Sequence, residues 1–140
     1  MGKGIELIVV ILLLIWTVED LLFKKIRIWE LAVGTVVMIM LLVITKADIR
    51  VLLPGFILSF MFILVSWLSK GSLGLGDCWV IGIIGLSVCF QNFTLTLGVA
   101  FIIATFVSVI MILIKKSNGK TKIPFIPFLF AGFLTQIIFQ

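Results

Sequence analysis

The sequence contains no histidine and only two cysteines, Cys78 and Cys89, and these shortages remove several chemistries. A zinc site draws on His and Cys at short, set spacings; with no histidine and no CxxC pair, no metal site is expected. The two thiols stand eleven residues apart. On one helix that separation is about 16 Å, too far for a disulfide, so each reads as a small buried apolar residue. Charge is scarce too: charged residues make up 12% of the chain and apolar ones 63%. A soluble domain covers its surface with about a quarter of its residues charged. This composition falls well short of that, whereas lipid solvates outward apolar faces without polar cover. The reading is an all-α, polytopic integral membrane protein.

Length then limits the architecture. At about 20 residues per span with short connections, 140 residues hold five or six helices and no soluble domain. Six spans are expected near Gly4–Phe23, Ile28–Thr45, Val51–Leu68, Leu73–Phe90, Phe93–Ile114 and Ile123–Phe139. The breaks fall where charges and turn formers collect: LFKKIR, TKADIR, SKGSLG, QNF and KKSNGKTK. Pro54 is expected in the first turn of the third helix, and Pro124 and Pro127 at the opening of the last, where a missing N–H costs little. Lys3 followed by the apolar run Leu7 to Trp16 has the look of a signal peptide. That run leads into Val18, Glu19 and Asp20 without a pair of small residues for cleavage, so a retained first helix is expected. No repeat or internal boundary divides the chain, and residues 1–140 read as one membrane-embedded domain.

Basic residues orient the bundle. Eight of them (Lys24, Lys25, Arg27, Lys70, Lys115, Lys116, Lys120 and Lys122) follow the odd-numbered helices, against Lys3, Lys46 and Arg50 on the other side. Positive charge is retained in the cytoplasm, which puts both termini outside and the chain in the cell membrane as a multi-pass protein. These lysines read as topology signals that touch anionic lipid, with no nucleic-acid partner expected. The same topology places Asp20, ending helix one, and Asp77, starting helix four, on the cytoplasmic side. Acids at the edge of hydrocarbon face a protein interior or a wet cavity, which makes them functional candidates. Glu6, Glu30 and Asp48 also lie near span ends. Glu30 suits a helix N-terminus. Glu19 points about 100° away from Asp20 around the helix, so the two cannot share one role.

The stretch GSLGLGDCW, residues 71–79, carries the sharpest local signal. Gly71 and Gly76 have the spacing of a phosphate loop, but Asp77 and Cys78 follow where Lys and Ser or Thr are needed. A dinucleotide fingerprint fails as well, since Trp79 stands at the third glycine and no βαβ unit surrounds it. Two readings remain: a turn with Asp77 as a routine helix cap, or a glycine hinge presenting a catalytic carboxylate. The second acid, Asp20, on the same membrane face favours the hinge. Gly74 and Gly76 would then let substrate backbone approach closely and take dihedrals that other residues resist. Gly82 and Gly85 read as close helix packing.

These residues resemble a family. The GLGD of Gly74–Asp77 looks like the GxGD motif of the membrane aspartyl peptidases, and the chain as a whole resembles the type IV prepilin peptidases. In that family an early helix ends in the first catalytic Asp, followed by basic residues and Ile; here Asp20 is followed by Lys24, Lys25 and Ile26, with Trp29 beyond. KIPFIPFLFAGF, Lys122 to Phe133, resembles the family's C-terminal segment. Arg27 and Ile28 replace the usual Pro-Asn, and Trp79 stands where a Lys often occurs. The cysteine-rich insertion of larger members is missing, so no N-methyltransferase activity is implied.

The resemblance implies an aspartic endopeptidase without cofactor. Asp20 and Asp77 would be catalytic, and Gly74 and Gly76 would form the substrate loop. Prepilins or pseudopilins with a basic leader would be the substrates, cut on the cytoplasmic side while their apolar helix stays in the bilayer. Hydrolysis by two aspartates needs one ionised and one protonated carboxyl around a water, because close carboxylates do not both ionise cheaply. The helix N-terminus expected at Asp77 favours charge there, making it the expected ionised partner of a coupled pair. Two other classes stay open: a small transporter or channel component using intramembrane acids, and an inactive assembly partner of a pilus or secretion system.

Overall fold

The computed structural model describes residues 3–23, 27–68, 74–115 and 124–139. They are all-helical: α1 (Lys3–Phe23), α2 (Ile28–Thr45), α3 (Ile49–Leu68), α4 (Leu75–Ser87), α5 (Phe90–Lys115) and α6 (Ile126–Ile138). Most of the lysines that orient the chain by sequence, and residues 71–73 of the glycine loop, lie outside the described residues.

Local chemistry explains the boundaries. α2 starts after Arg27, whose backbone is extended, with Glu30 in its first turn, where the helix dipole favours an acid. It stops at Lys46, a left-handed residue with φ 46° and ψ 43°. There the Lys46 N–H bonds to the Val43 carbonyl and the Ala47 N–H to the Leu42 carbonyl, a paired closure that satisfies the last carbonyls. Four expected boundaries move. α3 starts at Ile49, so Pro54 lies inside the helix rather than in its first turn. α4 ends at Ser87 because Val88 is extended, and α5 restarts at Phe90. Gln91 and Asn92, expected in the break, therefore lie in α5, and Cys78 and Cys89 do not share a helix. α6 begins at Ile126, leaving Pro127 in its first turn and Pro124 ahead of it.

Small residues set how the helices pair. The contacts of α3 and α4 run in opposite directions: Gly55 against Gly85, Ser59 Oγ to the Ile81 carbonyl at 3.4 Å, and Cys78 Sγ to the Phe62 carbonyl at 3.5 Å. α5 and α6 are likewise antiparallel. Gly132 lies against the Thr96 carbonyl, while the Phe101 and Phe125 rings stand 5.3 Å apart. α2 meets α1 where Gly34 leaves room for the Trp16 ring. These close approaches bury α4 on nearly every side, with Cys78, Val80, Ile81, Ile83, Ile84 and Gly85 in the interior.

Among the described residues two helices are long and apolar enough to cross a membrane, Ile28–Thr45 with mean hydropathy 2.3 and Phe90–Ile114 with 2.9. Both keep most of that surface outward, which in water would be an unsupportable apolar patch. α1, α4 and α6 differ from these two. α1 carries Glu6, Glu19 and Asp20. α4 and α6 have 13 residues each, about 20 Å of helix against a hydrocarbon core of about 30 Å.

Candidate active site

Asp20 reaches the interior by helical register. Ile5, Val9, Leu13 and Trp16 form the buried stripe of α1 at spacings of three and four, and Asp20 is the next residue on that stripe. Its residue is only 7% exposed. The main-chain N–H of Ile126, the first residue of α6, hydrogen-bonds its carboxyl group. The other oxygen, Oδ2, is buried without a hydrogen-bond partner.

Asp77 is the third residue of α4 and half-buried. It lies close enough to Asp20 for the two charges to repel. The end of α1 and the starts of α4 and α6 therefore meet at one end of the bundle, and two acids 57 positions apart in sequence come together there.

The glycines serve Asp77 differently from expectation. Gly74 caps α4 with φ −61° and ψ 130°, a conformation open to any residue, and accepts the Cys78 N–H on its carbonyl. What glycine supplies is space, since a Cβ there would stand 3.0 Å from Asp77 Oδ2. Gly76 belongs to the first turn of α4, inside the span expected from residue 73. Gly74 thus makes a close approach to Asp77, and residues 71–73 of the expected hinge lie outside the described residues.

Glu19 turns away from the dyad, as its position around the helix requires, and its carboxyl group lies beside that of Glu30 on α2, with Arg27 near enough to interact with Glu30. Sequence reasoning missed this acid pair and the Ile126 donor. Neither follows from periodicity, because each depends on which neighbours α1 packs against. Trp79 donates from Nε1 to Thr35 Oγ1 at 2.8 Å and so ties α4 to α2. With Ser59 and Gly82 these two residues line an apolar cavity of about 200 Å³. Trp79 lies about 200° around α4 from Asp77, so that cavity is separate from the dyad. Among the described residues no three His, Cys, Asp or Glu side chains converge as metal ligands would.

Comparison with known proteins gives no matching family model, no similar curated protein and no similar solved structure.

Proposed function

We propose that this chain is a membrane aspartic endopeptidase that removes short N-terminal leaders from prepilin- or pseudopilin-like proteins at the cytoplasmic face. One observation carries the reading. Asp20 and Asp77, far apart in sequence, come within electrostatic reach at one end of the bundle, and Asp20 keeps a buried oxygen with no partner. A buried polar atom left unpaired is costly to fold around; a catalytic water or a substrate group is a natural occupant. The GxGD pattern and the basic residues after Asp20 favour peptide hydrolysis over other uses of paired acids.

In this reading one carboxylate removes a proton from water as the oxygen attacks the scissile carbonyl carbon. The protonated carboxyl gives its proton to the carbonyl oxygen, producing a neutral gem-diol. On collapse the C–N bond breaks and the amine takes the proton held by the first aspartate. A gem-diol hydroxyl then returns its proton to the second, which restores the dyad.

The reading places all six helices in the cell membrane with both termini outside. Trp29 and Trp67, both strongly exposed at the acid end of α2 and α3, suit an aromatic belt at the membrane–water boundary. α4, with most of its residues buried in the bundle, can be shorter than the hydrocarbon core because protein rather than lipid surrounds it. A second reading, a proton-coupled membrane component, draws on the Glu19–Glu30 pair.

The test is cleavage in membranes. A prepilin-like substrate from the same organism is co-expressed with wild type, Asp20→Asn, Asp77→Asn and Glu19→Gln. Loss of about 10²- to 10⁴-fold in both Asp variants, with Glu19→Gln near wild type, supports the peptidase. Failure of wild type on several candidate substrates rejects it in favour of transport or assembly.

A further inference from the structure

A helix normally begins with four N–H groups lacking intrahelical partners. At the start of α6 Pro127 has no N–H, and the Phe128 N–H bonds to the Phe125 carbonyl at 3.0 Å. Phe125, the N-cap, offers no polar side chain. Of the remaining main-chain donors, the Ile126 N–H is received by Asp20.

That bond divides the two oxygens of Asp20. One is fixed by a main-chain donor that cannot rotate away, and the other, Oδ2, is buried and unpartnered. The held oxygen orients the carboxyl group and leaves Oδ2 as the atom with lone pairs free for a water. Asp77 also lies near a helix start, but there the Cys78 N–H goes to the Gly74 carbonyl rather than to the carboxylate.

Resting on the peptidase reading, we infer that Ile126 is a positioning residue that fixes Asp20 as the general base, with Oδ2 as the atom that takes the proton from water. Asp77 then carries the proton donated to the scissile carbonyl. This reverses the assignment expected from the α4 N-terminus alone. The α6 segment contributes a main-chain hydrogen bond to the reaction without touching the substrate.

The experiment changes one main-chain group. Cell-free synthesis into nanodiscs, with a suppressor tRNA carrying the α-hydroxy counterpart of isoleucine, places an ester at position 126; the side chain stays and the N–H is removed. An ester introduced the same way at 129 is the control, because that N–H bonds only within the helix. Using the prepilin-like substrate as probe, the ester at 126 is expected to lower kcat about tenfold or more with KM within about twofold, while the ester at 129 leaves both near wild type. Unchanged kcat at 126, or equal losses at both positions, overturns the inference. A second readout needs no activity. The Ile126 amide resonance of ¹⁵N-labelled protein is expected to shift more with Asp20→Asn than with Asp77→Asn. If wild type cleaves nothing, the peptidase reading and the role of base fall together. The contact itself is then overturned only if that resonance ignores Asp20→Asn.

Discussion

Replacing Gly55 by alanine tests the packing that carries Asp77. An ideal Cβ at Gly55 stands 2.5 Å from the Gly85 carbonyl oxygen and 3.2 and 3.3 Å from the Gly85 carbonyl carbon and Cα. All three are main-chain atoms of α4, so no rotamer change relieves the clash. A methyl carbon rests about 3.5 Å from its neighbours, which requires α3 and α4 to part by about 1 Å locally. Overpacking of this kind costs about 1–3 kcal/mol, with backbone against backbone near the upper end. Alanine's better helix propensity returns about 1 kcal/mol, leaving a net loss of about 1–2 kcal/mol. Two glycines calibrate the result. Gly98 has nothing within 4 Å and Gly82 meets only the Ser59 Cβ, at 4.0 Å; both alanine variants are expected to be neutral or slightly stabilised. Denaturant titration in mixed micelles reads the order. The Cys78–Phe62 link, one residue from Asp77, should loosen as the helices part, so cleavage should fall with Gly55→Ala alone. A Gly55→Ala protein as stable as Gly98→Ala refutes the reasoning.

Further outcomes follow from other sites. Gly74→Ala puts a Cβ 3.0 Å from Asp77 Oδ2 at an exposed cap; kcat is expected to fall while the unfolding free energy changes by less than about 0.5 kcal/mol. Lys46→Gly relieves the left-handed strain at the end of α2 and should stabilise the protein by about 0.5–1 kcal/mol in the same titration. Trp79→Phe loses the bond to Thr35 Oγ1 and should destabilise by about 0.5–1.5 kcal/mol, with Thr35→Val adding little on top of it. Cys78 is buried and Cys89 partly open, and neither is in a disulfide; a maleimide should label Cys89 in the native protein and Cys78 only after denaturation.

Class and element order were legible from composition and local chemistry. An apolar content of 63% with 12% charge points to long apolar helices, and the described residues are all-helical. Helices stop where glycine, charge and turn residues interrupt hydrophobic runs, and α2 ends at Thr45, the end read from the sequence. The acids at the end of α1 and the start of α4 were visible as expensive residues at the edge of apolar segments. Pattern failed where conformation depends on neighbours. Val88 is apolar yet extended and buried, so the α4–α5 break carries no turn signature and was placed too late.

Tertiary structure alone decided what each acid meets. Glu19 and Asp20 are adjacent in sequence, yet one faces Glu30 on α2 and the other the Ile126 N–H on α6. The sequence limits each to a face of its own helix; which helix packs on that face is a long-range outcome of side-chain fit. The same holds for Gly74, whose value lies in the space left for Asp77 Oδ2 rather than in its own dihedrals. Local propensity acts over a few residues, whereas the meeting of Asp20 with Asp77 is fixed by how six helices pack together.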